Sequence, residues 1–158
     1  MGCDGTMQDR VGAGIERLEE QFGSFPVNQT TLTVPEPDYE TARERADAGA
    51  IDVYVRVYDD EGDALHLADD RDSSVPRCVA GSNEPLAIAV ARTVRQESGV
   101  EVRLDEVARV TIAGVNNESD SDAPTVYRLI ALLDATYVRG SVENAVWASE
   151  TPAIPEYV

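Results

Sequence analysis

The chain has 158 residues, 42% of them hydrophobic and 27% charged, which suits one globular domain with a real core and excludes a disordered acidic tail. Thirty acidic residues stand against 13 basic ones, a formal charge of −17, and every basic residue is arginine. Such a surface argues against DNA, which needs basic patches, and predicts a protein adapted to concentrated salt, where the Debye length shrinks to about 3 Å.

At the N-terminus, MGCDGT fits the loose N-myristoylation pattern, while Met7 serves equally well as a start. Residues 1–7 are therefore expected to form a disordered tail, and 8–158 a single domain with an N-terminal helix. Val11, Ile15, Leu18 and Phe22 recur at helical spacing, so Gln8 to Phe22 reads as a helix ended by Gly23. Its apolar stripe is expected to pack on the domain, and a homodimer is the other use open to it. Phe25 to Val34, rich in threonine and valine, reads as a strand ending at Pro35. Asp38 offers an N-cap for a short helix through Ala46, stopped by Gly49. Ile51 to Tyr58 (IDVYVRVY) is strongly β-forming, and Asp60-Glu61-Gly62 turns it into Ala64 to Leu67.

A polar loop, Asp69 to Ser74, leads to a predicted helix from Glu84 to Glu97, with Leu86, Val90 and Val94 on one face and Gly99 as its stop. Strands are predicted near Glu101 to Arg103, Ala108 to Val115, Thr125 to Tyr137 and Ala145 to Ala148, with an exposed loop at Asn116 to Ala123. Pro152 and Pro155 break the tail. No apolar run approaches membrane-spanning length, so no membrane partner is expected. Cys3 and Cys78 make no disulfide framework or metal spacing, which suits a reducing cytoplasm. The order of elements predicts an α+β fold, a mixed sheet covered by helices.

Between Pro76 and Val100, PRCVAGSNEPLAIAVARTVRQESGV, the residues Glu84, Arg92, Val94, Glu97, Gly99 and Val100 follow the spacing G-x5-E-x7-R-E-U-x-E-E-x-G-U, with U aliphatic. This stretch resembles the Nudix box. FGSFPVNQTTLTVP, YETARERADAGAI and VYRLIALLDATYVRG look like the flanking regions of Nudix proteins from salt-loving archaea. The resemblance implies the Nudix fold, a mixed sheet sandwiched between helices (α/β/α), with the box helix beside a site for a diphosphate. In that family the box glutamates hold magnesium or manganese, which activates water for attack at phosphorus.

Positions 93, 96 and 97 share one helix face, as ligands of one cation must. Here they read Thr93, Gln96 and Glu97, so two of three glutamates are replaced and Thr93 cannot act as a base near neutrality. Arg77 and Cys78 stand where the family has two glycines after the proline, and Asn83 where it has a glycine before Glu84. By resemblance, Glu97, Glu84 and Arg92 are the catalytic candidates, with Arg92 orienting Glu84 or forming an ordinary salt bridge with it. Glu97 and Glu143 are the metal candidates. Arg77, Arg56 and Arg128 are candidate phosphate or nucleotide contacts, with Tyr54 as a stacking partner. Cys78 lacks a base partner, and His66 reads as structural.

Two functional readings follow. One is a diverged Nudix-fold protein with lost or strongly weakened hydrolysis that still binds a nucleotide or nucleoside-diphosphate derivative. The alternative is an active magnesium-dependent pyrophosphohydrolase of such derivatives, using Glu97, Glu84 and Glu143.

Overall fold

Alternation along one strand separates the two faces of the molecule. In Ile51–Tyr58, Ile51, Val53, Val55 and Val57 enter the larger hydrophobic cluster, while Asp52, Tyr54 and Arg56 point the other way. A computed structural model describes residues 3–68, 74–81, 83–155 and 158, with side-chain surroundings from residue 11 onward. The elements run α1 (Cys3–Phe22), β1 (Val27–Val34), α2 (Glu36–Asp47), β2 (Ile51–Tyr58), β3 (Ala64–Leu67), β4 (Arg77–Ala80), α3 (Leu86–Ser98), β5 (Glu101–Asn117), β6 (Val126–Arg139) and β7 (Ala145–Ala148).

The strands form one seven-stranded mixed sheet in the order β1-β5-β6-β2-β3-β7, with β4 paired to β2. β1 is parallel to β5 and β2 parallel to β6, whereas β5–β6, β2–β3, β2–β4 and β3–β7 are antiparallel. The fold is thus α+β, a mixed sheet with three helices, as expected from the order of elements. On one face α1 and α3 cover the larger cluster: Leu18, Leu86, Ala89, Val90 and Val94 pack on Val53, Val55, Leu129 and Ala131. On the other face α2 lays Tyr39 and Ala46 against Val115 and Val126.

Several boundaries differ from the sequence reading. α1 begins at Cys3 rather than Gln8, which brings most of the expected tail into the helix. Gly2 of the acylation pattern lies outside the described residues, as does most of the loop from Asp69 to Ser74. The stripe Val11, Ile15, Leu18 and Phe22 packs into the core, so it is spent within the chain. α2 is led by Pro35, with Pro37 in its first turn, and Asp38 lies inside the helix rather than capping it. Glu84 precedes α3 instead of starting it, because Pro85 takes the N-cap position. The two strands expected at Glu101 to Arg103 and Ala108 to Val115 are one continuous β5. Register shifts against β6 near Leu104 and Val107 absorb the polar stretch between them. Asn117, expected in an exposed loop, ends β5 as a buried residue whose Oδ1 accepts the Ser119 N–H at 2.9 Å.

β4 was not foreseen. Val53 and Tyr54 pair with Cys78 and Arg77, so the segment read as a loop before the box helix is an edge of the sheet. No helix among the described residues is long and apolar enough to cross a membrane.

Candidate functional site

Arg77 and Cys78 are adjacent on β4 and therefore point to opposite faces of the sheet. That one alternation divides the candidate residues into two groups.

Cys78 faces α3. Its thiol is buried, and burial pushes its pKa up; a hydrogen bond with the Thr93 hydroxyl and the charge of Arg92 oppose the rise, while the carboxylates of Glu84 and Glu97 add to it. The box residues thus converge around one sulfur. Glu84 is ion-paired to Arg92 across the start of α3. The guanidinium of Arg17, on α1, donates to the carbonyl of Gly81 at 3.1 Å and to that of Glu84, tying the turn before α3 to the first helix. Sequence reasoning had no signal for Arg17, which is one polar residue among several on α1. Gly99 closes α3 in the left-handed region, φ 80°, and its N–H reaches the Arg95 carbonyl. A Cβ there would lie 2.5 Å from the Ser141 carbonyl oxygen, so only glycine fits. Glu143 is exposed beside this cap, its N–H donating to the Ser98 carbonyl at 2.8 Å.

The donor set around Cys78 does not fit a divalent cation. The Glu84 carboxylate is taken by Arg92, the Thr93 hydroxyl donates to the Ala89 carbonyl at 3.0 Å, and Gln96 brings no charge. Cys78 fills the space that a glycine would leave open. Glu97, half-buried, is the remaining box carboxylate, and a single one is a weak anchor for magnesium. Among the described residues, the acidic trio whose oxygens come within 4.8 Å of one another is Asp59, Glu61 and Asp63, in the β2–β3 turn and not on α3.

Arg77 faces the other way, toward α2. Its guanidinium lies 5.5 Å above the Tyr54 ring and 3.9 Å from Asp52 Oδ1. Arg128, 5% exposed, pairs with Asp52 Oδ2 at 3.0 Å and donates to the Ala50 carbonyl at 2.9 Å. Arg45, from α2, approaches Asp52 Oδ1 to 3.7 Å. Three guanidinium groups therefore surround one buried carboxylate. Burial lowers the Arg128 pKa; Asp52 opposes that, and the positive charges of Arg45 and Arg77 deepen it. Asp52 Oδ1 is buried and accepts no hydrogen bond among the described residues, its nearest cations standing at ion-pair distance. These groups line a cavity of about 560 Å³ whose other walls include Leu32, Thr41, Ala113 and Ile130.

The sequence placed Arg77, Arg128 and Tyr54 as candidates but missed Arg45 and Asp52, which only the packing of α2 on the sheet brings to them. Arg77 does not reach the α3 side, so it cannot share a phosphate with Glu97. Arg56 stands apart: it makes a bidentate pair with Asp134, its cross-strand neighbour on β6, at 2.7 and 3.1 Å. Burial alone would lower its pKa, but the hydrogen bond and charge of Asp134, together with Tyr58 and Glu106, hold it above its ordinary value. His66 bonds the Glu150 carbonyl through Nε2 at 3.0 Å, joining β3 to the C-terminal tail.

No family model matches the chain, and no curated protein matches it. Among solved structures it is similar to the mutator MutT protein of Bacillus halodurans, at 15% identity over 63% of this chain and 67% of that one, with a TM-score of 0.45. It is similar also to the MutT protein of Methanosarcina mazei Go1, at 17% identity over 68% and 85% of the two chains, with a TM-score of 0.43. A third likeness is to a putative oxidoreductase of Sinorhizobium meliloti 1021, at 15% identity and a TM-score of 0.43, of which this chain spans 35%. The resemblance of this α+β chain to the Nudix family therefore rests on its own box residues, Glu84, Arg92, Val94, Glu97, Gly99 and Val100, in the arrangement described above.

Proposed function

We propose that the protein binds a small phosphorylated ligand of the nucleotide or sugar-phosphate class in the cavity between α2 and the sheet, and that metal-dependent hydrolysis at the box helix is lost or strongly weakened. The observation that carries this reading is the cluster of Arg45, Arg77 and Arg128 around Asp52 in a chain of formal charge −17. A second anion among three guanidinium groups relieves their mutual repulsion, and arginine's planar fork suits phosphate oxygens. Asp52 Oδ1, buried without a hydrogen bond, calls for a donor, which the hydroxyls of a sugar supply. Leu32, Ala113 and Ile130 offer an apolar wall for a base or sugar, and about 560 Å³ lies within the usual range for small-ligand sites.

Calorimetric titration with ADP-ribose in molar KCl, with and without magnesium, tests the reading. Binding is expected without metal, to persist in Glu97→Gln, and to weaken roughly tenfold or more in Arg77→Gln, the loss of a charge-assisted hydrogen bond. Magnesium-dependent hydrolysis abolished by Glu97→Gln would instead establish the active hydrolase.

A further inference from the structure

Edge strands expose unpaired backbone groups, and proteins blunt them with short length, charges, proline or bulges. Two of the strands at the sheet's periphery here, β4 and β7, have four residues each. β1 is different. It has eight residues, pairs among the described residues with β5 alone, and keeps an unbroken register with it from Val27 to Val34. Its sequence, VNQTTLTV, holds neither proline nor charge, and five of its eight residues are exposed. On the sheet face beside it, Asn116 and Thr125, partly exposed, and the exposed Tyr127 continue the surface, again without a charge. Gly114 is itself buried, and a side chain there would press on those of Thr125 and Tyr127 at 3.2 and 3.4 Å. In a chain with 27% charged residues this is an open, neutral edge and not a random patch.

We propose that β1 pairs antiparallel with β1 of a second copy of this chain, joining two sheets into one across a two-fold axis. Charge selects this occupant. Two copies of −17 repel each other through their acidic surfaces, and β1 is a strand on which they can meet without a carboxylate of its own against another. Geometry agrees, because one two-fold axis makes an antiparallel strand pair self-complementary in its hydrogen bonds. Valine, threonine and leucine suit the cross-strand contacts of such a ladder. The pairing rests on β1 and its neighbours, independently of any ligand in the arginine cavity.

Sedimentation equilibrium over a concentration series, at low and molar KCl, tests it. Twice the 17.1 kDa chain mass is expected, with association tightening as salt screens the like-charged bodies; a contact built on ion pairs would loosen instead. Gln29→Glu with Thr31→Glu is expected to give single chains with an unchanged circular dichroism spectrum, whereas Ile88→Glu, on the exposed face of α3, leaves the dimer intact. Amide exchange provides a check on the unaltered protein: β1 amides should slow as concentration rises. A single-chain mass at millimolar concentration in molar KCl, a dimer that survives the β1 pair of substitutions, or one broken by Ile88→Glu overturns the proposal.

Discussion

Thr93 and Cys78, two departures from the box spacing, touch each other, and that contact gives them a common physical reason. At the positions where the family pattern has a glutamate and a glycine, this chain has a hydroxyl beside a buried thiol. Restoring the glutamate alone would drive a carboxylate onto Cys78, beside Glu84 and Glu97, with no new cation to receive it. Thr93→Glu is therefore expected to destabilise the fold by about 1–3 kcal/mol, the scale of burying an unpaired charge part-way. Adding Cys78→Gly should recover part of the loss by opening the pocket. Magnesium binding by calorimetry is expected only when Gln96→Glu joins the other two. Thermal melting of the single, double and triple variants checks the order; a single Thr93→Glu as stable as the parent would show that the two positions are not coupled.

At the scale of elements, β4 and α1 decide what the box helix can do. β4 makes the residues before the box part of the sheet, which sends Arg77 and Cys78 to opposite faces and separates the arginine cavity from α3. α1 holds the turn between them through Arg17, whose guanidinium bridges the carbonyls of Gly81 and Glu84. Those two acceptors lose a charged donor in Arg17→Ala, a loss of about 1.5–3 kcal/mol for hydrogen bonds of this kind. Hydrogen exchange should quicken at the first turn of α3 while β5 and β6 stay protected. Unchanged exchange there would mean that α3 is held by its buried face alone. Of the elements, α1, β1, α2, β2, β3, α3, β6 and β7 were legible from periodicity, β-forming composition and turn residues. β4 was not, because a four-residue edge strand carries too short an alternation to separate from a loop, and its pairing partner is distant in sequence.

For the whole molecule, charge is the dominant variable. A formal −17 on a chain of 158 residues opposes compaction unless screened, so the melting temperature should rise steadily from low salt to molar KCl and reach a plateau. The rise should be steeper with KCl than with an equimolar neutral osmolyte, since screening and not volume exclusion is at work. Equal stability in dilute buffer would remove the salt-adaptation reading. The arginines counter this surface only locally. Among the described residues, Asp52 with its three neighbours and Asp134 with Arg56 are two places where positive charge is drawn into the sheet.

Local rules carried much of the sequence reading. Hydrophobic periods of two and of near four residues set β2 and α3, glycine at positions 49 and 99 set where helices stop, and the spacing from Glu84 to Gly99 set the resemblance and the missing ligands. The pairing of Glu84 with Arg92 was within reach because both lie in one short segment. The tertiary structure alone decided that Arg45 and Arg128 meet at Asp52, that Arg56 is spent on Asp134, and that Arg77 turns away from Glu97. Those outcomes depend on which face each strand presents and on how α2 lies across the sheet. Strand pairing between residues distant in sequence sets both, and no local pattern of one chain encodes it.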